Sequence, residues 1–287
     1  MKKTISVEPK EIPVCLVPNI VYSQFTTYWG EVPHSLKLHL IRPDKWAPKK
    51  EKLPTLVWIV GGGFRCNAPL KFAPEFSYLV KAGYNVVMID YRVSGQEPFP
   101  GAVQDAKTAI RFLRAHADQY GIDENRIGVM GGSAGGYLAT MLGTTAGMKE
   151  FETDEWAGYD SSVKAVIDLY GILDFKDAME NPTPADNTHY ITPIRLFVGE
   201  DGAKDEKLLH LSNPINFVSE KTPPFLILHG TADIVVSYQN SIKLYEALQA
   251  KGIPSDLYLL ENVNHATHEF WQPEIKELIL EFLKQNL

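Results

Sequence analysis

The chain has 287 residues, 45% of them hydrophobic and 22% charged, with a formal net charge of -7. That balance supports a sizeable packed core, and its acidic sign excludes a polyanionic nucleic acid as the main partner. No apolar run approaches the ~20 residues that cross a bilayer, so no membrane insertion is expected.

Short apolar runs rich in β-branched residues alternate with stretches of helical spacing, which predicts a mostly parallel sheet covered by helices on both faces. The predicted strands are Leu36–Ile41, Thr55–Val60, Asn85–Asp90, Arg126–Met130, Lys164–Leu169, Pro224–His229 and Ser255–Leu260. Continuous runs such as Leu56-Val57-Trp58-Ile59-Val60 suit central strands buried on both faces. Val103, Ala106, Ile110, Leu113 and Ala117 mark one helix, Ser237–Lys251 a second, and Ile275, Leu278, Ile279, Phe282 and Leu283 a third. Residues 171–223 are irregular and proline-bearing, and are read as a small lid within a single domain spanning 1–287.

Cys15 and Cys66 form neither a disulfide framework nor a zinc-binding spacing. The opening MKKTISVEPKEIPV has two lysines without an apolar stretch behind them, so no secretory signal is expected and a cytoplasmic location is the default. Composition does not indicate an oligomeric state.

Four features carry chemistry. The strand ending in Val60 runs into Gly61-Gly62-Gly63-Phe64, where glycines let backbone N–H groups approach a ligand closely. Farther on, Gly131-Gly132-Ser133-Ala134-Gly135 reads G-x-S-x-G between a predicted strand and a helical pattern. A serine at such a turn stands exposed at a helix N-terminus, which favours developing negative charge. Ser133 is thus the candidate nucleophile, with the N–H groups of Gly62, Gly63 and Ala134 as candidate oxyanion donors. A glycine-rich helix start that packs closely or cradles a phosphate is the competing reading, but no lysine follows as a P-loop requires.

Chain order then asks for an acid and a histidine downstream. Asp233 lies just beyond the strand ending at His229, and His265 just beyond the strand ending at Leu260. Both leave the sheet edge where open α/β folds keep their sites. His265 would take the Ser133 proton, and Asp233 would hold the imidazole tautomer. Asp233 as a helix cap and His268 as a rival base stay open. His229 is read as structural, and Asp105 as either orienting a loop or a solvated helix residue. No metal or other cofactor is called for.

These segments resemble the α/β-hydrolase esterases related to hormone-sensitive lipase and the carbohydrate esterases, above all bacterial acetylxylan and feruloyl esterase-type enzymes. The resemblance is carried by Gly61–Phe64, Asp90-Tyr91-Arg92, Tyr120-Gly121-Ile122-Asp123, Gly131–Gly136, His229–Asp233 and His265. It implies the α/β-hydrolase fold and hydrolysis of a small-molecule carboxylic ester with a short acyl group, such as acetyl on a sugar, through an acyl-enzyme. Phe64, Arg65, Cys66 and Tyr137 flank the site as candidate pocket residues, with ordinary packing as the alternative. An arylformamidase- or peptidase-like hydrolase and a ligand-binding pseudoenzyme are the other readings of the same scaffold. Three positions depart from the family pattern: Val60 stands where histidine is usual, Ser237 where proline is common, and Ala266-Thr267 where glycine and an aromatic residue follow the histidine. The first implies loss of a hydrogen bond that shapes the oxyanion loop.

Overall fold

The computed structural model describes residues 1–8, 10, 12–27, 30–44, 52–184 and 191–287. Its strands are β1 (Val14–Thr27), β2 (Val32–Pro43), β3 (Leu53–Ile59), β4 (Asn85–Ile89), β5 (Ile122–Gly132), β6 (Val166–Leu169), β7 (Phe225–Gly230) and β8 (Ser255–Leu260). They form one sheet in the order β1-β2-β4-β3-β5-β6-β7-β8. From β4 to β8 every neighbouring pair is parallel, while β2 runs antiparallel to both β1 and β4. All seven strands expected from the sequence are present, β8 with the expected bounds and the others with shifted ends.

β1 is the strand that the sequence pattern conceals. Pro18-Asn19 interrupts its alternation, Asn19 takes a φ of 61°, and the pairing with β2 slips between Val17 and Ile20. Proline and left-handed asparagine read as a turn, yet an edge strand accommodates them in a bulge.

The helices are α1 (Ser77–Lys81), α2 (Gly101–Ala115), α3 (Ala117–Tyr120), α4 (Ala134–Thr144), α5 (Phe175–Glu180), α6 (Ile191–Val198), α7 (Glu206–Leu211), α8 (Gln239–Ala250) and α9 (Pro273–Asn286). Ala117, expected in the first long helix, begins α3 instead, because α2 stops at His116, whose φ of -114° leaves the helical range. Alternate strand residues supply two cores. Val57, Ile59, Val129, Val166 and Ile227 meet α2, α4, α6 and α8 on one face. Leu56, Trp58, Met130, Ile167 and Leu226 meet α1 and α9 on the other. Central strands therefore need apolar residues at every position, as their sequences have.

Register brings the strand ends together. Ile59 pairs with Gly131, Gly132 with Leu169, Leu169 with Leu228, and Gly230 with Leu260. The residues that follow each strand, carrying Gly61–Gly63, Ser133, Asp233 and His265, thus emerge along one edge. Between β6 and β7 the chain makes α5, α6 and α7 rather than a structureless loop; residues 185–190 of the expected lid lie outside the described residues. Among the described residues, no helix is long and apolar enough to cross a membrane.

Candidate active site

β5 delivers the candidate nucleophile through a sharp turn into α4. Ser133 takes φ 56° and ψ -120°, a strained conformation for a residue with a side chain. The turn is possible because the chain passes against its neighbours without side chains. A Cβ on Gly131 would strike the Gly135 carbonyl, and one on Gly135 would strike the Ile59 carbonyl of β3. The Ser133 N–H donates to the Leu169 carbonyl at 2.9 Å, which ties the elbow to the end of β6.

His265 meets Ser133 and Asp233 together. Its Nδ1 lies 2.7 Å from Asp233 Oδ2 and its Nε2 lies 3.0 Å from Ser133 Oγ. A carboxylate only accepts, so the proton sits on Nδ1 and the Ser133 hydroxyl donates to the free lone pair of Nε2. Asn264 joins the two loops, its Oδ1 accepting from the His265 N–H at 2.7 Å and from the Ile234 N–H at 3.1 Å. His268 points away, its side chain 85% exposed beside Glu269. Of the two histidines, His265 is the one within hydrogen-bond distance of Ser133 and Asp233.

Asp233 does not cap α8, which has no side-chain cap, but its two oxygens face different partners. Oδ1 accepts from the N–H groups of Val235 and Val236, both at 2.8 Å, and so caps the turn ahead of α8. Oδ2 faces His265 and also His229, whose Nε2 is 3.2 Å away. Burial works to raise the Asp233 pKa. The hydrogen bonds from His229 and His265, the His265 charge and the Val236 N–H outweigh it and hold the carboxyl well below the usual range.

Tyr170, which the sequence reading passed over, sits between elbow and histidine. It takes a φ of 44°, and its ring meets the His265 imidazole edge to face at 4.9 Å and Phe270 at 4.4 Å. A left-handed tyrosine gives no signal in a single sequence. Asp105 orients a loop: its carboxylate accepts from the Arg92 backbone N–H at 2.7 Å and pairs with the guanidinium at 2.7 Å.

Gly62 and Gly63 have φ values of 151° and 58°. A Cβ on Gly62 would run into Cys66, so this position demands glycine. Among the described residues no acceptor takes the N–H of Gly62, Gly63 or Ala134. Val60 does not leave the loop untethered. Its carbonyl accepts the Tyr91 hydroxyl at 2.9 Å, while Ser94 N–H and hydroxyl hold the Phe64 carbonyl at 2.8 and 3.1 Å. Other hydrogen bonds thus hold the loop where histidine is usual. Ala266, in place of the usual glycine, carries a φ of 54°. Ser237 opens the turn into α8, its carbonyl accepting from the Asn240 N–H at 3.0 Å.

Of the candidate pocket residues, Arg65 and Cys66 are exposed, whereas Phe64 and Tyr137 are buried. Phe64 stacks on Phe197 of α6 at 3.8 Å and meets Tyr137 and Phe175 edge to face. These two rings face an aromatic cluster rather than solvent. Among the described residues, no three His, Cys, Asp or Glu side chains gather to hold a metal ion.

The strand order, the strained serine and the acid and histidine on successive strand ends define an α/β-hydrolase fold. Residues 44–248 match the BD-FAE family model, and the chain belongs to that family. It is similar to Esterase LipC of Mycobacterium tuberculosis (31% identical over 211 residues, 72% of this chain and 52% of that protein). It is also similar to an acetylxylan esterase of Xylanibacter ruminicola (25% identical over 222 residues, 76% of this chain and 42% of that protein). The chain spans about half the length of the curated relatives it matches. Among solved structures, a truncated carbohydrate esterase from gut microbiota superposes with a TM-score of 0.82 at 26% identity, covering 96% of this chain and 98% of that one.

Proposed function

We propose that the chain is a serine carboxylesterase acting on short-chain acyl esters, with acetyl groups on carbohydrate as the favoured substrate. The observation that carries it is the continuous hydrogen-bonded chain from Asp233 through His265 to Ser133. Ser133 Oγ attacks the ester carbonyl while its proton passes to His265 Nε2. The N–H groups of Gly62, Gly63 and Ala134 then receive the oxyanion, each donor contributing ~3 kcal/mol to the transition state. Collapse breaks the bond to the alcohol, which leaves with the proton from Nε2. A water gives its proton to His265, attacks the acyl-enzyme, and releases the acid as Ser133 recovers its proton. Asp233 stays ionised throughout, consistent with its depressed pKa.

The short acyl group is supported by the carbohydrate esterases that the chain resembles and by the rings of Phe64, Tyr137, Phe175 and Phe197. This cluster fills the interior behind the oxyanion loop. Residues 1–287 act as one domain in this reading, with 171–223 as a small lid; Pro193 of α6 lies over Gly63. A serine-directed fluorophosphonate, followed by peptide mass mapping, tests the nucleophile. Adduct formation confined to Ser133 is expected, and labelling elsewhere or not at all contradicts the mechanism. Acetate, butyrate and octanoate esters compared on the same enzyme should fall in rate in that order. Faster turnover of an aryl formamide or a peptide would displace the ester reading.

A further inference from the structure

His229 and Ser241 take no part in the steps above, yet both are fully buried against the candidate acid. His229 Nε2 lies 3.2 Å from Asp233 Oδ2 and 3.0 Å from the Val236 carbonyl, while Nδ1 lies 2.7 Å from Ser241 Oγ. Carboxylate and carbonyl oxygens only accept, so a proton must sit on Nε2. Nδ1 shares a hydrogen bond with the Ser241 hydroxyl, so both ring nitrogens are satisfied. Asp233 is closely surrounded in turn: Oδ2 accepts from His265 and lies 3.2 Å from His229 Nε2, and Oδ1 accepts from two amides.

The strand pattern marks the position as unusual. Phe225 and Ile227 occupy the same side of β7 and are apolar core residues, and the series breaks to histidine beside Asp233. A polar ring costs free energy in such a place unless its hydrogen bonds are made. Here each one is made to the candidate acid, to the turn that carries it, or to the helix that follows.

We propose that His229, braced by Ser241, is a positioning residue for ester hydrolysis: it fixes Asp233 toward His265 and draws off part of the carboxylate's charge. This role rests on the reading of Ser133, His265 and Asp233 as a catalytic chain. The titratable groups facing His229 are Asp233 on the loop that follows β7, Asp168 on β6 and, through Asp233, His265 and Tyr170; α8 contributes Ser241. Without the His229 donor, Asp233 concentrates more negative charge on His265 and holds the imidazolium proton more tightly. The base then becomes available only at higher pH.

The test compares wild type, His229→Leu, His229→Gln and Ser241→Ala by kcat/KM for p-nitrophenyl acetate across pH 5 to 9. Circular dichroism and thermal melts report folding. In His229→Leu the acidic limb should move up by ~0.5–1 pH unit, the scale of one lost hydrogen bond. Its kcat should fall by more than ~10-fold but less than the ~10⁴-fold cost of disabling a triad acid, with KM little changed. His229→Gln, whose Nε2 can replace the lost donor, should return the limb to its wild-type position. Ser241→Ala should shift it in the same direction by less. A folded His229→Leu whose limb stays in place, or whose rate His229→Gln does not recover, overturns the role. If His229→Leu does not fold, an unmoved limb in Ser241→Ala overturns it instead. Wild type without Ser133-dependent turnover would sink the esterase reading itself, an outcome visible before any His229 variant is compared.

Discussion

Ala266 follows His265 with a φ of 54°, a conformation that costs a residue with a Cβ about 1 kcal/mol. Ala266→Gly should relieve that strain at the expense of some unfolded-state entropy, for a net gain of ~0.5 kcal/mol. A melting temperature raised by ~1–2 °C is the expected result, and a lower one would show that the alanine methyl packs usefully. Asp233 offers the sharper test at this scale. Asp233→Asn keeps the shape but removes the charge that holds the His265 tautomer, so kcat should drop ~10⁴-fold with the fold intact. A drop below tenfold would mean that His265 is oriented by something else. Ser133, Asp233 and His265 were legible because each follows a strand whose apolar run can be read. Tyr170 and the second histidine on Asp233 were not, because their roles arise from contacts between segments distant in sequence. His268 shows the same limit: three residues from His265, its position away from Ser133 could be learned only by seeing where its side chain points.

The oxyanion loop is the element where sequence and structure diverge most usefully. Val60 in place of histidine implied a missing hydrogen bond, but the Tyr91 hydroxyl reaches the Val60 carbonyl across 31 positions of chain. Tyr91→Phe leaves that buried carbonyl without its partner, at a cost of about 1–3 kcal/mol. It should also lower kcat more than it changes KM, because in the proposed mechanism the loop holds donors for the transition state rather than for the ground state. Equal effects on stability and none on kcat would assign Tyr91 to packing alone. Helices α2, α8 and α9 and the seven expected strands could be read from periodicity, since each carries a regular apolar stripe or run. β1 could not, because Pro18-Asn19 breaks its alternation. The helices within 171–223 were missed because they are short and held by tertiary contacts such as Phe197 on Phe64.

At the scale of the whole molecule, Asp168 links stability to pH. It is fully buried on β6 beneath α4, with Oδ1 accepting the Gly171 N–H at 3.0 Å and Oδ2 without a partner among the described residues. Burial pushes its pKa from 3.8 up to about 7, against the lowering influence of His229 and the Gly171 N–H. A raised folded-state pKa means that this group's contribution is fully present below about pH 4 and is lost as pH rises through 7. Asp168→Asn should therefore melt higher than wild type at pH 8, with the difference shrinking toward pH 5. An equal difference at both values would show that Asp168 does not titrate in this window. The fold that places Asp168 under the elbow also brings four strand ends to one edge, and the proposed mechanism makes Ser133 the nucleophile there. The most direct measurement is p-nitrophenyl acetate hydrolysis by wild type and by Ser133→Ala, both verified as folded. Loss of a triad serine can cost ~10⁶-fold in turnover, so the variant should fall to background while the wild type turns over. A wild type no faster than Ser133→Ala would contradict the account and bring a ligand-binding role for this scaffold to the front.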